Sequence, residues 1–327
     1  MKKTAFVTGG TGFLGTNLIE KLVSEGWDVT ALHRPTSNLK YITPLTIKLV
    51  EGDIQDKALL EKVMPMNLDA VFHVAGDVSA WKKLNAAQTL TNVNGSRNMV
   101  EVAAAKKAKC FVHTSSISAW GKVQGLTNEE TPQQGNVSWS NYEKTKWQGE
   151  QEALKGVDLG MKVVVMNPAI ILGRYDKDSW GQAFIALHKS ELPFVASGCS
   201  CFIHVQEVVK AHIAAVEKGQ NGHKYILGGE NVSFPVFMGE VAHVLGKKPP
   251  KVISSFLFKG IGWLSGMIAN ITNKPPLISP EIAEGITRQD YRFSSEKAQR
   301  ELDLQIIPFK VGVKDCYDWL RQEGFLD

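Results

Sequence analysis

The sequence predicts an α/β protein built on a doubly wound parallel sheet, with a smaller C-terminal lobe. Short β-rich runs alternate with helical patterns through the first half of the chain. These runs are apolar without a polar alternation, which is typical of parallel strands covered by helices on both faces. After about Gly173 the alternation becomes irregular, and proline and glycine increase. We therefore expect a sheet domain followed by a lobe of different construction.

The elements follow in chain order. The predicted strands of the first half are Thr4–Thr8, Val29–His33, Ile47–Glu51, Ala70–Val74, Cys110–Ser115 and Lys162–Asn167. The predicted helices between them are Gly12–Glu25, Lys57–Val63, Leu90–Ala105 and Tyr142–Leu154. A later helix, Gln206–Lys218, and a strand, Lys224–Leu227, restore the pattern once. We place the sheet domain at 1–172, with about 201–228 packing back onto it, and the smaller lobe at 173–327.

Composition excludes several classes of protein. Apolar residues are 43% and charged residues 21% of the 327, as in ordinary soluble proteins. The net charge of +4 is dispersed, so we expect no nucleic-acid partner. Four cysteines in so long a chain indicate free thiols in a reducing, cytoplasmic compartment. Cys199, Cys201 and His204 lack a fourth ligand, and we expect no metal site.

Two apolar stretches raise the question of a membrane. MKKTAFV begins like a secretory signal, but glycines from Gly9 onward interrupt it before an apolar region of sufficient length forms. The stretch from Phe256 to Ile271 contains Lys259 and three glycines, and it is short for a bilayer span. We predict a buried or ligand-lining pair of helices there and no membrane span. The sequence leaves a homodimer open.

A glycine-rich turn follows the first predicted strand directly. In GGTGFLG, Gly10, Gly12 and Gly15 satisfy G-x-G-x-x-G, whereas Gly9, Gly12 and Gly15 satisfy G-x-x-G-x-x-G. Glycine lets the backbone approach a pyrophosphate closely, and the helix N-terminus supplies N–H donors. The position predicts dinucleotide binding by a Rossmann-type sheet, through Gly9, Gly12, Phe13, Leu14 and Gly15.

The second predicted strand bears on the choice of dinucleotide. It ends in TALHRPTSN, with no acid to bind the ribose 2′-hydroxyl of NAD. Arg34 and Lys40 are near the position that the 2′-phosphate of NADP would occupy. These cations favour NADP(H) over NAD(H). The alternative interpretation of Arg34 is a solvated loop residue. Asp53 and Ile54, after the third strand, are predicted to contact the adenine, although Asp53 is also compatible with a helix N-cap.

Several motifs, taken together in chain order, resemble one family: the extended short-chain dehydrogenase/reductases, also called the NAD(P)-dependent epimerase/dehydratase family. The segments that carry the resemblance are TGGTGFLG, GDI, FHVAG, TNVNGSRN, HTSSISAWG, Tyr142 with Lys146 as Y-x-x-x-K, NPAIILG and FIHVQEVVKAH. They span most of the chain. Two departures are Gly76, where the family has alanine, and Gln206-Glu207, where it usually has an aspartate pair.

The resemblance implies roles for particular residues. Tyr142 would be the general acid/base, because Lys146 one helical turn away and an oxidised nicotinamide ring both favour the phenolate. Ser116 would hold the substrate oxygen, with Ser115 as the adjacent alternative, and Asn92 would order the proton relay. Further cofactor contacts implied by the motifs are Val74, Ala75, Gly76, Tyr142, Lys146, Asn167, Pro168, Ala169 and Ile170.

Three details are similar to dihydroflavonol reductases within this family: the stretch HRPTSN, the Asn-Pro of NPAIILG, and Ala119-Trp120-Gly121. They imply an NADPH-dependent reductase of a ketone or aldehyde in a small, aromatic or apolar substrate. The predicted substrate contacts are Asp77, Ser79, Trp81, Ser116 and Trp120. A sugar-nucleotide epimerase or dehydratase with retained NAD(P) is the alternative, and a non-catalytic NADPH-binding regulator is a third.

Overall fold

The computed structural model describes residues 2–327 of the chain. Within them the strands are β1 (Thr4–Thr8), β2 (Asp28–His33), β3 (Lys48–Glu51), β4 (Ala70–His73), β5 (Cys110–Thr114), β6 (Gly125–Thr127), β7 (Lys162–Pro168), β8 (Ile170–Leu172), β9 (Phe194–Ala196), β10 (Cys199–His204), β11 (His223–Leu227), β12 (Glu230–Ser233), β13 (Lys251–Ile253) and β14 (Tyr291–Phe293). The α-helices are α1 (Phe13–Ser24), α2 (Lys57–Val63), α3 (Asn85–Thr89), α4 (Gly95–Ala105), α5 (Asn141–Asp158), α6 (Gly181–His188), α7 (Val205–Glu217), α8 (Phe234–Val244), α9 (Ser255–Thr272), α10 (Pro280–Ile286), α11 (Glu296–Leu302) and α12 (Phe309–Gln322).

Seven parallel strands form the central sheet, in the order β11-β7-β5-β4-β1-β2-β3. The predicted doubly wound fold is confirmed. The chain runs outward from β1 to β3 and then returns to the other side of β1 as β4. This reversal opens a crevice between the carboxyl ends of β1 and β4, the position at which such sheets bind ligands.

Helices cover both faces of the sheet, which explains why its strands are apolar throughout. On one face Leu18 of α1 and Val208 of α7 join a core with Val112 of β5. On the other face Leu60 of α2 and Ala153 of α5 pack with Phe111. Each of these side chains is fully buried. Strand β11, after the irregular segment, is the edge strand beside β7.

The predicted boundaries agree with the structure to within a residue or two, except for two helices. The predicted helix Leu90–Ala105 begins at Asn85 as α3 and reaches α4 through a π-helical segment, Leu90–Asn94. Helix α5 runs on to Asp158. The sequence NAAQT of α3 has no apolar stripe. The helix is instead held in place by polar contacts. Its Gln88 is buried and accepts a hydrogen bond from the Asn141 amide.

The remaining strands form smaller sheets, β12-β10-β8, β13-β9 and β14-β6. An aromatic cluster of Phe202, Phe234 and Phe237 fills the core beneath the first of these. The assignment of 173–327 to a substrate lobe stays a prediction.

The segment from Phe256 to Ile271 lies within one helix, α9, and the prediction of a buried helix pair is wrong. Only Phe258, Gly262 and Ala269 of α9 are buried. The helix packs through these positions on α10 and leaves most of its larger apolar side chains exposed. No helix in the described part of the chain combines the length and the apolar character that crossing a bilayer requires.

Candidate active site

The carboxyl ends of four neighbouring strands bring the candidate site residues together. The glycine turn follows β1, the segment Val74–Asp77 follows β4, Ser115 and Ser116 follow β5, and Asn167-Pro168 end β7. Helix α5, with Tyr142 and Lys146, packs against β5 and β7. Residues that are distant in sequence thus meet at one edge of the sheet.

Gly9, Gly12 and Gly15 are the three glycines that pack together in the turn. Gly9 has a φ of +70°, and a Cβ there would lie 2.6 Å from the backbone nitrogen of Ala75. A Cβ on Gly15 would lie 2.0 Å from the Gly9 carbonyl oxygen, which also accepts the Gly12 N–H at 3.0 Å. Gly10 instead packs on Ile19. The G-x-x-G-x-x-G reading therefore describes the turn.

The turn suits a pyrophosphate. Gly12 caps α1 without a side-chain hydrogen bond, and the first turn of α1 has no acidic residue. Its N–H groups and the positive end of the helix dipole therefore face outward without a competing carboxylate. Phe13 is half-buried and Leu14 is buried against the sheet.

The loops after β2 and β3 lie side by side, since the Gly52 N–H donates to the His33 carbonyl at 2.8 Å. Arg34 is exposed in the first loop. Asp53, in the second, accepts from the Gln55 N–H, whereas the N-cap of α2 is Asp56. The interpretation of Asp53 as a helix cap is therefore wrong. Ile54 is buried and packs on Gly95.

Lys40 requires a correction. Its ammonium forms an ion pair with Glu323, just beyond the end of α12. The same carboxylate accepts from the Tyr41 hydroxyl at 2.7 Å. We predicted that Lys40 would face a nucleotide phosphate, but this ion pair holds it against the C-terminal helix. Arg34 is the other cation of this loop, and its guanidinium forms no ion pair within residues 2–327.

Tyr142 and Lys146 lie one turn apart near the start of α5. The Lys146 ammonium is buried and donates to the Thr114 carbonyl oxygen at 3.1 Å. Gly76 borders it, because a Cβ at that position would lie 3.2 Å from Nζ. The glycine in place of the family's alanine thus gives the ammonium room.

Burial changes the pKa values of this pair in opposite directions. Burial raises the pKa of Tyr142 to about 12, a hydrogen bond with Ser116 lowers it, and Glu143 and Asp77 raise it further. Burial lowers the pKa of Lys146 to about 8, against the effect of Glu150 and Asp77. We expected Lys146 to lower the pKa of Tyr142. Without a bound dinucleotide, the loss of hydration outweighs any such effect, and the phenol remains protonated at neutral pH.

The two serines after β5 have different surroundings. The Ser116 hydroxyl accepts from the Ser118 N–H at 3.1 Å and lies near enough to the Tyr142 hydroxyl to lower the pKa of that phenol. The Ser115 hydroxyl instead donates to the buried Glu150 carboxylate at 2.6 Å. Ser116 is therefore the serine beside the tyrosine, and Ser115 is engaged elsewhere.

Asn92 lies in the π-helical segment, not at a helix start. Its Nδ2 donates to the Asp77 carbonyl at 2.9 Å and to the Thr145 hydroxyl at 3.1 Å. Its Oδ1 accepts the Asp77 N–H at 2.7 Å. Such π-helical segments inside helices commonly mark functional positions.

Asn167 is fully buried at the end of β7 and donates to the Ser116 carbonyl at 3.1 Å. Its Oδ1 is a buried acceptor with no partner in the described residues. Pro168 and Ala169 are buried, and Ile170 is half-buried. The contacts of this segment with a cofactor stay a prediction.

The loop after β4 contains the predicted substrate contacts. The Asp77 carboxylate accepts the Ser79 N–H at 2.7 Å. The Ser79 hydroxyl and the Trp81 indole N–H have no hydrogen-bond partner among residues 2–327. Val78, between Asp77 and Ser79, is exposed. The loop thus combines apolar surface with unpaired polar atoms.

Trp120 was predicted to contact substrate, and the structure contradicts this. The side chain is fully buried, its indole N–H donates to the Thr131 carbonyl at 2.9 Å, and its ring meets Phe293 edge to face. Trp120 is a core residue beneath the site.

Two buried polar residues, Gln88 and Glu150, were not predicted from the sequence. Gln88 donates to the Ser79 carbonyl at 2.6 Å, so it supports the loop after β4. Glu150 is fully buried, with Ser115, Asn167, Gln133 and Lys224 donating to its carboxylate. Its position one turn after Lys146, on a face that is otherwise buried, could have indicated it.

The other predictions concern residues away from the site. Cys199 Sγ donates to the Gln289 carbonyl, and His204 Nδ1 accepts the Gln206 N–H. No group of three His, Cys, Asp or Glu within residues 2–327 is arranged to hold a metal. The departures Gln206 and Glu207 make structural contacts, to Asn17 Oδ1 and the Gln305 N–H respectively.

Comparison with known proteins identifies the relatives of this chain. The model of the NAD dependent epimerase/dehydratase family matches residues 5–228. A protein named "Putative dihydroflavonol 4-reductase" from Synechocystis sp. is 29% identical, over 98% of this chain and 95% of its own. "Sterol demethylase protein B" from Methylococcus capsulatus is 25% identical, over 99% of this chain and 100% of its own.

Solved structures share the fold. The crystal structure of gox2253 has a TM-score of 0.86 and 28% identity, with both chains covered completely. The Bordetella bronchiseptica enzyme WbmH in complex with NAD+ has a TM-score of 0.79 and 20% identity, over 99% of this chain and 100% of its own. The second likeness concerns the fold alone.

Proposed function

Because the chain belongs to the NAD-dependent epimerase/dehydratase family of extended short-chain dehydrogenase/reductases, we propose that it is an NADPH-dependent reductase of ketones or aldehydes, with Tyr142 as proton donor. Members of this family are NAD(P)-dependent enzymes. The observation that carries the proposal is the position of Tyr142 near Ser116, with the buried Lys146 one helical turn further on.

The residues present fit a nicotinamide dinucleotide. Side chains at Gly9 or Gly15 would fill the turn, and Asn167 offers a buried acceptor without a partner. Gly9, Gly12 and Gly15 would hold the pyrophosphate, Asp53 the adenine, and Lys146 the nicotinamide ribose. When bound, the reduced cofactor supplies a hydride. Arg34 supports NADPH over NADH, because a guanidinium pairs well with a 2′-phosphate.

The chain's own groups would manage the proton. Ser116 holds the substrate oxygen next to Tyr142, and the Tyr142 hydroxyl protonates that oxygen as negative charge develops on it. With a pKa near 12, the tyrosine is fully protonated at neutral pH and can act as an acid at once. The buried Lys146 ammonium stabilises the phenolate that remains, until the proton is replaced.

An apolar substrate is supported by the loop after β4. Val78 and Leu84 are exposed there, and the half-buried Trp81 lies between them in sequence. The relatives named as reductases include a ceramide reductase, 25% identical over 98% of this chain. The unpaired Ser79 hydroxyl and Trp81 N–H would bind polar atoms of such a substrate.

NADPH consumption tests the proposal. Purified protein is screened against aldehydes, ketones and flavanones at 340 nm, with Tyr142→Phe as the control. We expect stoichiometric NADPH oxidation by the parent, and a loss of at least about 10²-fold in kcat with NADPH affinity retained in the variant. Equal rates for parent and variant would contradict the role of Tyr142.

The family also contains enzymes that retain their cofactor, and the same assay separates them. A sugar-nucleotide epimerase needs no added NADPH and would convert a nucleoside diphosphate sugar without net change at 340 nm. Such turnover, together with no oxidation of NADPH by any carbonyl compound, would replace our proposal with this alternative. NADPH binding without any turnover would indicate a regulator.

A further inference from the structure

Helix α9 turns its large apolar side chains away from the protein. The exposed ones are Phe256, Leu257, Trp263, Leu264, Met267, Ile268 and Ile271. Phe256 and Ile271, near its two ends, are 85% and 86% exposed. Helices on the surface of soluble proteins normally bury such a stripe and expose polar residues. On α9 the apolar side chains are the exposed ones.

Besides the buried Phe258, the inward side of α9 consists of small residues. A Cβ on Gly262 would lie 2.6 Å from the Ala283 side chain, and one on Gly266 would lie 3.1 Å from Pro280. Ala269 is buried on the same side. The close contact with α10 therefore fixes which side of α9 faces out, and the exposed apolar stripe cannot turn inward.

The segment that contains α9 is locally rich in lysine. From Val241 to Pro280 there are five lysines and no Asp, Glu or Arg. The whole chain has 37 Lys and Arg against 33 Asp and Glu, so the remainder is close to neutral. Lys83, from outside the segment, donates to the Asn270 carbonyl at 3.2 Å and adds a cation at the C-terminal end of α9.

This surface lies beside the candidate active site. The Lys83 contact joins α9 to the loop after β4, two residues from Trp81. On the other side, Lys259 of α9 forms an ion pair with Glu284 of α10, at 2.7 Å. Glu281 of α10 accepts from the Ser140 hydroxyl at 2.8 Å, two residues before Tyr142.

We propose that α9 binds the surface of a lipid bilayer that contains anionic lipids. An apolar helix face with lysines around it is the arrangement of helices that lie in the plane of the interface, with the apolar side chains at the acyl boundary and the cations among the headgroups. A second copy of this chain fits less well, because pairing two such faces would bring like charges together. The proposal concerns docking on the surface and not insertion across it.

Docking would place the substrate loop at the bilayer, where apolar carbonyl compounds partition. This consequence rests on the proposed reductase function, whereas the docking itself does not.

Vesicle flotation tests the docking. The full-length protein is mixed with vesicles of phosphatidylcholine, either pure or with about one third phosphatidylglycerol. We expect the parent to float with the anionic vesicles, and to be released by about 0.5 M NaCl because salt screens the lysines. In the variant Trp263→Ser/Ile271→Ser, bound protein should fall at least tenfold. The matched control is Leu159→Ser/Val236→Ser, since both residues are 55% exposed and lie outside α9. It should bind like the parent.

Three results would overturn the proposal: no flotation of the parent, equal flotation of the Trp263→Ser/Ile271→Ser variant, or equal loss in the matched control. A parent dimer in light scattering that becomes a monomer in the α9 variant, without vesicle binding, would assign the surface to a second copy instead. NADPH affinity and turnover of a water-soluble ketone, measured in parallel, should be unchanged in the α9 variant. If the parent floats but reduces nothing, only the proposed reductase function fails.

Discussion

The Asn92 amide holds both sides of the Asp77 peptide, accepting its N–H at 2.7 Å and donating to its carbonyl at 2.9 Å. Asn92 belongs to the π-helical segment Leu90–Asn94, and Asp77 begins the loop that contains the predicted substrate contacts. One buried side chain therefore sets the path of that loop. Because Asn92 also binds Thr145, it ties the same loop to α5, the helix of Tyr142 and Lys146.

Asn92→Asp keeps the shape of this side chain but removes both of its donated hydrogen bonds. We expect the free energy of unfolding to fall by about 1–3 kcal/mol in urea titrations, because buried acceptors lose their donors. We also expect a lower kcat/KM. Asn94→Asp is the control, since no hydrogen bond of the Asn94 side chain is found in residues 2–327. Equal effects of the two changes would argue against a specific role of Asn92.

Lys146 should make cofactor use dependent on pH. Its pKa is lowered by burial from 10.5 to about 8, so the free enzyme loses this positive charge as the pH rises above that value. The kcat/KM for NADPH should be level below pH 8 and then fall by about tenfold per pH unit. In Lys146→Arg, activity should be lower but independent of pH from 7 to 10, because arginine stays protonated. An unchanged break near pH 8 in the variant would exclude Lys146 as its source.

Arg34→Ala should remove the preference for NADPH. We expect kcat/KM for NADPH to fall by about ten- to a hundredfold, the cost of a lost charge-assisted contact, while the value for NADH changes little. Lys40→Ala serves as the control, because Lys40 already pairs with Glu323 and should not affect the preference. Arg34 has no role in selectivity if the ratio of the two values is the same in Arg34→Ala and the parent.

Glu150→Gln should destabilise the protein more than a surface change would. The carboxylate is fully buried and pairs with Lys224 at 2.6 Å, so the substitution leaves a cation without its partner. We expect a loss of about 3–5 kcal/mol in the free energy of unfolding. Glu150→Gln/Lys224→Met should recover part of this loss, since it removes the unpaired charge. No recovery would indicate that the contacts with Ser115 and Asn167, and not the ion pair, are decisive.

The sheet, the glycine turn and the Tyr142–Lys146 spacing were predictable because each depends on local pattern: apolar runs, glycines at fixed spacing, and one helical turn. Trp120 and Lys40 were assigned incorrectly for one common reason. The partners of Trp120 are Thr131 and Phe293, and the partner of Lys40 is Glu323. These partners belong to other parts of the chain, and a loop motif carries no information about them. The exposure of α9 was equally unpredictable, because composition indicates burial while the small side of the helix happens to match α10.

The position of β11 has a consequence for how the protein is made. The outer edge of β7, whose residues Val163 to Met166 are fully buried, pairs with β11. Strand β11 (His223–Leu227) follows more than fifty residues later in the chain. Until then, a growing chain would hold an apolar parallel edge with open N–H and C=O groups, which is a template for aggregation. A fragment ending near residue 172 should therefore precipitate although it contains the glycine turn, Tyr142 and Lys146. The shortest piece of this chain that can stay in solution and bind the dinucleotide should extend to at least Leu227.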